Sequence, residues 1–107
     1  MSQATAQNTL DLLILKTLAR GPNHGFGITN HIQTVSEGLL RIEEGSLYPA
    51  LHRLEREKHI TGEWKTSENG RRARYYKLSA TGRTKLEQHQ SQWLSLSAGV
   101  ARVLEVT

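Results

Sequence analysis

Residues 79–105 contain no proline and predict one long helix at the end of the chain. At a rise of about 1.5 Å per residue, a helix of roughly 26 residues spans about 39 Å, which is more than a small domain can cover. Leu86, Trp93 and Val100 recur every seven residues, a spacing that predicts a seam for another helix. The same apolar seam includes Leu96, Val103 and Leu104. We therefore expect a second copy of the chain to cover part of this helix.

Two partners are open to this seam, namely the first helix of the same chain and the C-terminal helix of a second chain. Ser95, Ser97 and Gly99 make the seam too poor in apolar side chains for a two-stranded coiled coil. We expect instead a four-helix contact, to which each subunit of a homodimer contributes its first and last helices. The residues predicted to form the dimer interface are Leu10, Leu13, Leu86, Trp93, Leu96, Val100, Val103 and Leu104.

Three shorter amphipathic helices are predicted before the long one, because apolar residues recur there with helical spacing. They cover residues 9–20, roughly 24–36, and 46 to about 58. Gly21-Pro22 ends the first helix, and Ser46 is a good N-cap for the third. The apolar faces are formed by Leu10, Leu13, Ile14 and Leu18, by Ile28, Ile32 and Val35, and by Leu47, Ala50, Leu51 and Leu54. Residues 1–8 are expected to be a flexible N-terminus.

A β-hairpin is predicted between the third and fourth helices. Residues 60–67 and 71–78 have the composition of strands and flank Glu68-Asn69-Gly70, where the Asn-Gly pair favours a type I′ turn. Side chains alternate between the two sides of each strand, so one side of the hairpin can face the core. The side chains expected there are Ile60, Trp64, Tyr76 and Leu78.

Three helices followed by a hairpin are the outline of a winged helix-turn-helix, in which the third helix enters the major groove of DNA and the hairpin forms the wing. The predicted fold class is therefore α+β, mainly α. It comprises a winged helix-turn-helix over residues 9–78 with a two-stranded wing, and a long C-terminal dimerisation helix over residues 79–107.

The formal net charge of +4 is concentrated in one block of the sequence. Residues 46–85 hold ten lysines and arginines against four glutamates, a net charge of +6, whereas residues 1–45 and 86–107 carry −1 each. The block coincides with the third helix and the hairpin, where a phosphate-contacting surface is expected. The DNA-contacting candidates are Ser46, Tyr48, His52, Arg53, Arg56, Lys65, Arg71, Arg72 and Arg74.

Other interpretations of this charge remain open. The third helix can simply have a solvated face, because Glu55 and Glu57 can pair with the basic residues beside them. The arginines of the hairpin are harder to explain in this way, since they repel one another unless a polyanion neutralises them. A winged helix used for contact with another protein is the second interpretation, and it would favour a neutral or acidic helix and wing.

Enzymatic activity is not predicted. The chain has no cysteine, which excludes disulfides, thiolate metal sites and a cysteine nucleophile. The five histidines, His24, His31, His52, His59 and His89, lack a partnered carboxylate or nucleophile at a telling spacing. His24 with His31, and His52 with His59, are seven residues apart and leave a weak zinc alternative, although helix faces or caps explain them better. We predict no cofactor and no metal.

No apolar run is long enough for a signal peptide or a membrane span, since the longest one is Leu12 to Leu15. The expected location is therefore the cytoplasm, and a membrane is not among the predicted partners.

Three blocks of sequence resemble a known family. The blocks are Leu12-Leu13-Ile14-Leu15 with His24-Gly25-Phe26-Gly27-Ile28, then Glu44-Gly45-Ser46-Leu47-Tyr48-Pro49-Ala50-Leu51 with Leu54-Glu55, then Arg71-Arg72-Ala73-Arg74-Tyr75-Tyr76-Lys77-Leu78 with Gly82. In this order they resemble the PadR family of bacterial transcriptional regulators, from Leu10 to about Leu104. Phe26 departs from the tyrosine usual there, and the single helix after the wing resembles the short-tailed branch of the family.

The resemblance implies a transcriptional regulator, a repressor, that binds a palindromic operator in double-stranded DNA as a homodimer. It implies that Ser46, Tyr48 and Pro49 belong to the recognition helix, and that Arg71 and Arg72 belong to the wing. It also implies release from DNA by a small aromatic or lipophilic effector, although no motif in the sequence identifies that ligand.

Overall fold

The computed structural model describes residues 3–106, with side chains from residue 8 onward. Helices account for most of this part of the chain, and a small antiparallel sheet accounts for the rest of its regular structure. The elements are α1 Gln3–Leu18, β1 Asn23–His24, α2 Gly25–Val35, α3 Glu44–Arg56, β2 Ile60–Thr66, β3 Arg72–Leu78 and α4 Ala80–Glu105. The predicted class, α+β and mainly α with a long C-terminal helix, is confirmed.

Helix α1 begins earlier than the sequence predicted. It starts at Gln3, so residues 3–8 of the segment expected to be flexible are helical, while residues 1 and 2 lie outside the described residues. No glycine or proline interrupts residues 3–18, which explains why the helix extends to this point. The helix ends shortly before Gly21, whose φ of 150° is a value that glycine adopts far more readily than other residues.

The start of helix α3 also differs from the prediction. Leu47 N–H donates a hydrogen bond to the Glu43 carbonyl at 2.9 Å, so the N-cap is Glu43 and the predicted cap, Ser46, lies within the first turn. The error arose because Ser46 has the side chain of a good cap, whereas here the backbone conformation of Glu43 begins the helix without a side-chain hydrogen bond. The helix ends before Lys58, which has a φ of 66° and turns the chain into β2.

The predicted hairpin is present, and it gains a third strand. Strands β2 and β3 pair antiparallel from Ile60↔Leu78 to Thr66↔Arg72, and β1 adds to the other edge of β3. The turn is not type I′, because Ser67 N–H bonds to the Arg71 carbonyl and only Gly70 of residues 68–70 has a positive φ. It is a three-residue loop that closes on the left-handed glycine. We call residues 60–78, strands and turn together, the wing.

The core lies between α1, α2, α3 and the base of the wing. Its buried apolar side chains are Ile14, Leu15, Leu18, Ile28, Ile32, Leu47, Ala50, Leu51, Leu54, Ile60, Tyr76, Leu78 and Leu86. Two expected members are missing: Trp64 is 54% exposed and Val35 is 65% exposed. Trp64 has the correct strand parity but lies far along the wing, where no helix covers it, and Val35 ends α2 beyond the contact with α1.

Helix α4 extends away from this core. The molecule measures 56 × 29 × 23 Å, and its radius of gyration of 15.0 Å exceeds the roughly 13 Å expected for a compact chain of this length. Leu86, predicted at the dimer interface, is instead buried in the chain's own core, because the first turns of α4 pack on α1. Trp93, Val100, Val103 and Leu104 are exposed on the projecting part. No described helix is long and apolar enough to cross a membrane.

The first turn of α4 fits closely against the end of α3. Ser79 and Thr81 hydroxyls each donate to the Lys58 carbonyl at 2.7 Å, and Ser79 N–H donates to the His59 carbonyl at 3.1 Å. A Cβ on Gly82 would lie 1.9 Å from the His59 carbonyl oxygen, so only glycine fits there. The long helix is therefore joined to the residues that follow α3.

Candidate nucleic-acid interface

The outer face of α3 forms one side of the candidate interface. Five of its predicted DNA contacts lie together on this face and are exposed to solvent: Ser46, Tyr48, Pro49, His52 and Arg56. They recur at spacings of three and four residues and so share one side of the helix, while the opposite side is buried in the core. The helix therefore turns a polar and basic strip outward, supported from behind by apolar packing.

Tyr48 is held on this strip by the first residue of α2. Gly25 is buried, and a Cβ added to it would lie 2.9 Å from the Tyr48 hydroxyl oxygen. The absence of a side chain at Gly25 therefore lets the phenol ring rest against α2 while part of it stays exposed. Gly25 in the sequence motif of α2 thus allows Tyr48 of α3 to take its position.

The wing forms the other side of the interface. Lys65, Arg71 and Arg72 are exposed on it, and none of the three forms an ion pair with another described residue. The Arg72 guanidinium lies 5.5 Å from the centre of the Trp64 ring, and the Lys65 ammonium lies 6.0 Å from the centre of the Tyr75 ring. These aromatic contacts restrain the long side chains while their charges remain available to an anion.

A groove of about 390 Å³ separates the two sides. Phe26, Tyr48 and His52 line it from the helices, and Trp64 and Arg72 line it from the wing. Hydroxyl, imidazole and guanidinium groups thus converge around aromatic surfaces. Such groups hold the phosphate and sugar atoms of a nucleic-acid backbone.

Arg53 does not belong to this surface, although the sequence placed it there. Its Nη1 and Nη2 atoms donate to the two carboxylate oxygens of Asp11 at 2.9 and 2.6 Å, and Nη1 lies 3.5 Å from Glu57. The Asp11 side chain is only 5% exposed, and that of Arg53 is 23% exposed. The hydrogen bond to Asp11 raises the pKa of the Arg53 guanidinium further above its usual value. Arg53 therefore joins α3 to α1, and we remove it from the DNA-facing set.

Arg74 is also engaged within the protein. Its Nη2 atom lies 2.5 Å from Oε2 of Glu55 on α3, and its guanidinium carbon lies 5.9 Å and 6.0 Å from the ring centres of Trp64 and Tyr76. The predicted DNA contact at this position is thus directed toward α3. Of the ten predicted DNA-contacting residues, eight lie on the open surface and two are held by carboxylates.

Sequence reasoning missed both carboxylate partners. Asp11 did give a signal, because it stands three, four and seven residues before Ile14, Leu15 and Leu18 and so belongs to the buried stripe of α1. A carboxylate on a buried face requires a partner, and an arginine on the flank of a neighbouring helix is a suitable one. Glu55 gave no comparable signal, because its spacing fits an ordinary exposed helix position.

A buried histidine lies beside this ion pair. His89 of α4 is 5% exposed, and neither of its ring nitrogens has a hydrogen-bond partner among the described residues. Burial lowers the pKa of His89, and the positive charge of Lys85 lowers it further, against a smaller opposite effect of Asp11. The folded protein therefore favours the neutral imidazole.

This burial predicts a loss of stability on acidification. Below a pH of about 6.5 the unfolded chain takes up a proton on His89 while the folded chain resists it, so the free energy of unfolding falls until the folded pKa is passed. His89→Leu is expected to reduce this pH dependence, whereas Gln90→Leu, on the exposed side of α4, keeps it. Urea unfolding followed between pH 8 and 5 measures the difference. If the free energy of unfolding depends on pH with the same slope in His89→Leu as in the parent protein, His89 does not contribute to that dependence.

His24 has a structural role. His24 is the N-cap of α2, where its Nδ1 atom accepts a hydrogen bond from Gly27 N–H at 3.1 Å. Within residues 3–106, no group of three or more histidine, aspartate or glutamate side chains lies close enough to hold a metal ion.

Comparisons with known proteins agree with this geometry. A model of the transcriptional regulator PadR-like family matches residues 14–88. A transcriptional regulator from Clostridium thermocellum has a TM-score of 0.83 with 25% sequence identity, over 100% of this chain and 99% of its own. A PadR family regulator from Eggerthella lenta has a TM-score of 0.77 with 29% identity, over 92% and 84%. A PadR-like regulator from Bacillus cereus has a TM-score of 0.80 with 26% identity, over 98% and 100%.

Two uncharacterised proteins are similar in sequence. One, from Lysinibacillus sphaericus, is 25% identical over 84 residues, which are 78% of this chain and 77% of that protein. The other is a 37.1 kDa protein in a transposon of Streptomyces fradiae, 37% identical over 93 residues. This alignment covers 87% of the present chain but only 25% of the Streptomyces protein, so the chain spans about a quarter of that relative.

Proposed function

This chain belongs to the PadR-like family of transcriptional regulators, and we propose on that basis that it is a repressor that binds a palindromic operator as a homodimer. Family membership makes it a DNA-binding regulator of transcription and not an enzyme. Since a regulator of transcription acts on the DNA of the cell, the proposed location is the cytoplasm.

The observation that supports the DNA contact is the open basic surface of α3 and the wing. Arg56, Lys65, Arg71 and Arg72 are exposed, and no carboxylate of the described chain neutralises them. In a winged helix, α3 enters the major groove and the wing follows the sugar–phosphate backbone. The proposed DNA-binding residues are Ser46, Tyr48, Pro49, His52, Arg56, Lys65, Arg71 and Arg72.

The homodimer is supported by the projecting part of α4. Trp93, Val100 and Val103 lie on one side of this helix at spacings of seven and three residues, and all three are exposed. Leu10 and Leu13 of α1, which pack against the core, are only partly buried. A second copy would cover these side chains and place two recognition helices about a two-fold axis, as a palindromic operator requires.

A small aromatic or lipophilic effector is part of the same proposal. A groove of about 230 Å³ lies between α1 and α4, with Leu12, Trp93 and Leu96 in its walls. His89 also lines it, and neither of its ring nitrogens has a hydrogen-bond partner among the described residues. An aromatic ligand with one polar group suits such a lining. Trp93 and Leu96 also belong to the proposed dimer seam, so a ligand bound there would act on the relation between the two subunits.

Salt-dependent binding to DNA tests the proposed function. With a fluorescent 30-bp duplex of mixed sequence, the logarithm of the binding constant should fall linearly with the logarithm of the salt concentration, by about 0.9 for each phosphate contacted. Replacing Arg71 and Arg72 together by alanine should reduce the slope by about 1.8 and weaken binding to all sequences alike.

Arg20→Ala with Arg102→Ala is the matched control, because it removes the same charge from exposed positions outside the proposed surface. It should leave the slope near that of the parent protein. Undetectable binding of the parent protein at low salt would refute the proposed function.

A further inference from the structure

Arg74 is only partly exposed on the wing, unlike its exposed neighbours Arg71 and Arg72. Its guanidinium carbon lies 5.9 Å from the centre of the Trp64 ring and 6.0 Å from that of the Tyr76 ring, and its Nη2 atom donates to Glu55. Trp64 and Tyr76 belong to the two paired strands of the wing, whereas Glu55 belongs to α3. One side chain therefore connects both strands of the wing to the recognition helix.

Gly62 makes this arrangement possible. It stands opposite Tyr76 in the sheet and on the same side of β2 as Trp64. A Cβ at this position would lie 2.5 Å from Arg74 Nε and 2.8 Å from its guanidinium carbon. Even alanine at position 62 would therefore push the guanidinium out of its place across the strand.

The carboxylate of Glu55 is unexpected at this location. It lies on the flank of α3, adjacent in sequence to the exposed Arg56 that we propose to contact DNA. A negative charge so near a phosphate backbone repels it and weakens binding. Its presence there therefore points to a structural role. Trp64, Lys65 and Thr66, in the outer half of β2, are all exposed, so burial does not hold this part of the wing against α3.

We infer that the Glu55–Arg74 ion pair positions the wing relative to the recognition helix, and that Arg74 acts through the wing rather than by touching DNA. The inference rests on the proposed DNA-binding function. With the wing held in place before binding, less conformational freedom is lost when α3 and the wing engage one duplex together. Without the pair, the wing would have to be ordered at the moment of binding.

Whether Glu55→Gln weakens or strengthens DNA binding distinguishes this role from direct contact with DNA by Arg74. Glu55→Gln removes a negative charge beside the DNA surface, so electrostatics alone predicts tighter binding. We expect instead binding about fivefold weaker, since the wing is no longer held. Glu63→Gln is the matched control, because this exposed carboxylate lies on the wing, on the same side of β2 as Lys65, and forms no ion pair among the described residues. It should bind equally well or more tightly.

A double-mutant cycle completes the test. Arg74→Gln should weaken binding to the 30-bp duplex by a similar factor, keep the salt slope of the parent protein, and add little to Glu55→Gln in the double variant. A direct phosphate contact by Arg74 would instead lower the slope by about 0.9, with Glu55→Gln binding more tightly. Either of those two results would overturn the inference while leaving the proposed function intact.

The ion pair is also measurable without DNA. Thermal unfolding of the same four proteins should show a coupling between positions 55 and 74, and Gly62→Ala should abolish that coupling. Additive effects would mean that the pair does not form in solution, which removes the basis of the inference. If the parent protein does not bind DNA, the proposed function fails. The unfolding cycle still shows in that case whether the ion pair forms.

Discussion

Arg53→Met is expected to lower the free energy of unfolding by about 3 kcal/mol, because it leaves the Asp11 carboxylate buried without its partner. Asp11 lies on the buried face of α1, and both of its oxygens accept hydrogen bonds from Arg53. For a domain of this size the loss corresponds to a decrease of more than about 10 °C in the midpoint of thermal unfolding. Calorimetry or circular dichroism on heating measures it.

Matched variants show whether the ion pair is responsible. Arg56 lies about one helical turn after Arg53 and is exposed. Arg56→Met should therefore change the free energy of unfolding by less than about 0.5 kcal/mol. Asp11→Leu combined with Arg53→Met should recover most of the loss, since a buried pair replaced by apolar side chains is often neutral. If Arg53→Met unfolds at the temperature of the parent protein, Arg53 is not a structural residue and its place among the DNA contacts is restored.

Val103→Glu converts the proposed dimer into a monomer and weakens binding to a palindromic duplex by at least about a hundredfold, which corresponds to roughly 3 kcal/mol. Val103 is 72% exposed in the single chain, so the substitution costs the folded monomer little. In the dimer the carboxylate would be placed in an apolar seam. Each monomer would then bind only one half-site.

Light scattering after size exclusion measures the mass. Fluorescence anisotropy measures the affinity, with a palindromic duplex identified by selecting DNA fragments that bind the parent protein. Ala98→Glu is the control, because it introduces the same charge on α4 at an exposed position away from Val100 and Val103. It should leave both mass and affinity unchanged. A Val103→Glu protein that remains dimeric would exclude this part of α4 from the interface.

These two predictions concern α3 and α4, and both of these helices contact α1. Helix α1 carries Asp11, which holds α3 through Arg53, and the same helix packs along α4. The proposed interface and the recognition helix are therefore linked by direct contacts within one core. The position of the proposed DNA-binding surface therefore depends in part on α1.

The sequence by itself determined the order of the helices and the hairpin. Apolar residues at helical spacing located the buried faces of α1, α2 and α3, and all of Leu47, Ala50, Leu51 and Leu54 are buried as expected. The charged block predicts a surface for a polyanion on α3 and the wing, where Arg56, Lys65, Arg71 and Arg72 are exposed. The long proline-free segment determined that α4 would extend beyond the core.

Only the tertiary structure decided the roles of residues at the border between buried and exposed faces. Helical phase leaves Arg53 and Glu55 at such borders, and their partners Asp11 and Arg74 are 42 and 19 residues away in the chain. The orientation of Trp64 and the existence of β1 also depend on neighbouring elements. Local spacing determines which side of an element is apolar, but distant packing determines which partner each flanking charge meets. For that reason the sequence predicted Arg53 and Arg74 to contact DNA, whereas in the fold both form ion pairs with carboxylates of the same chain.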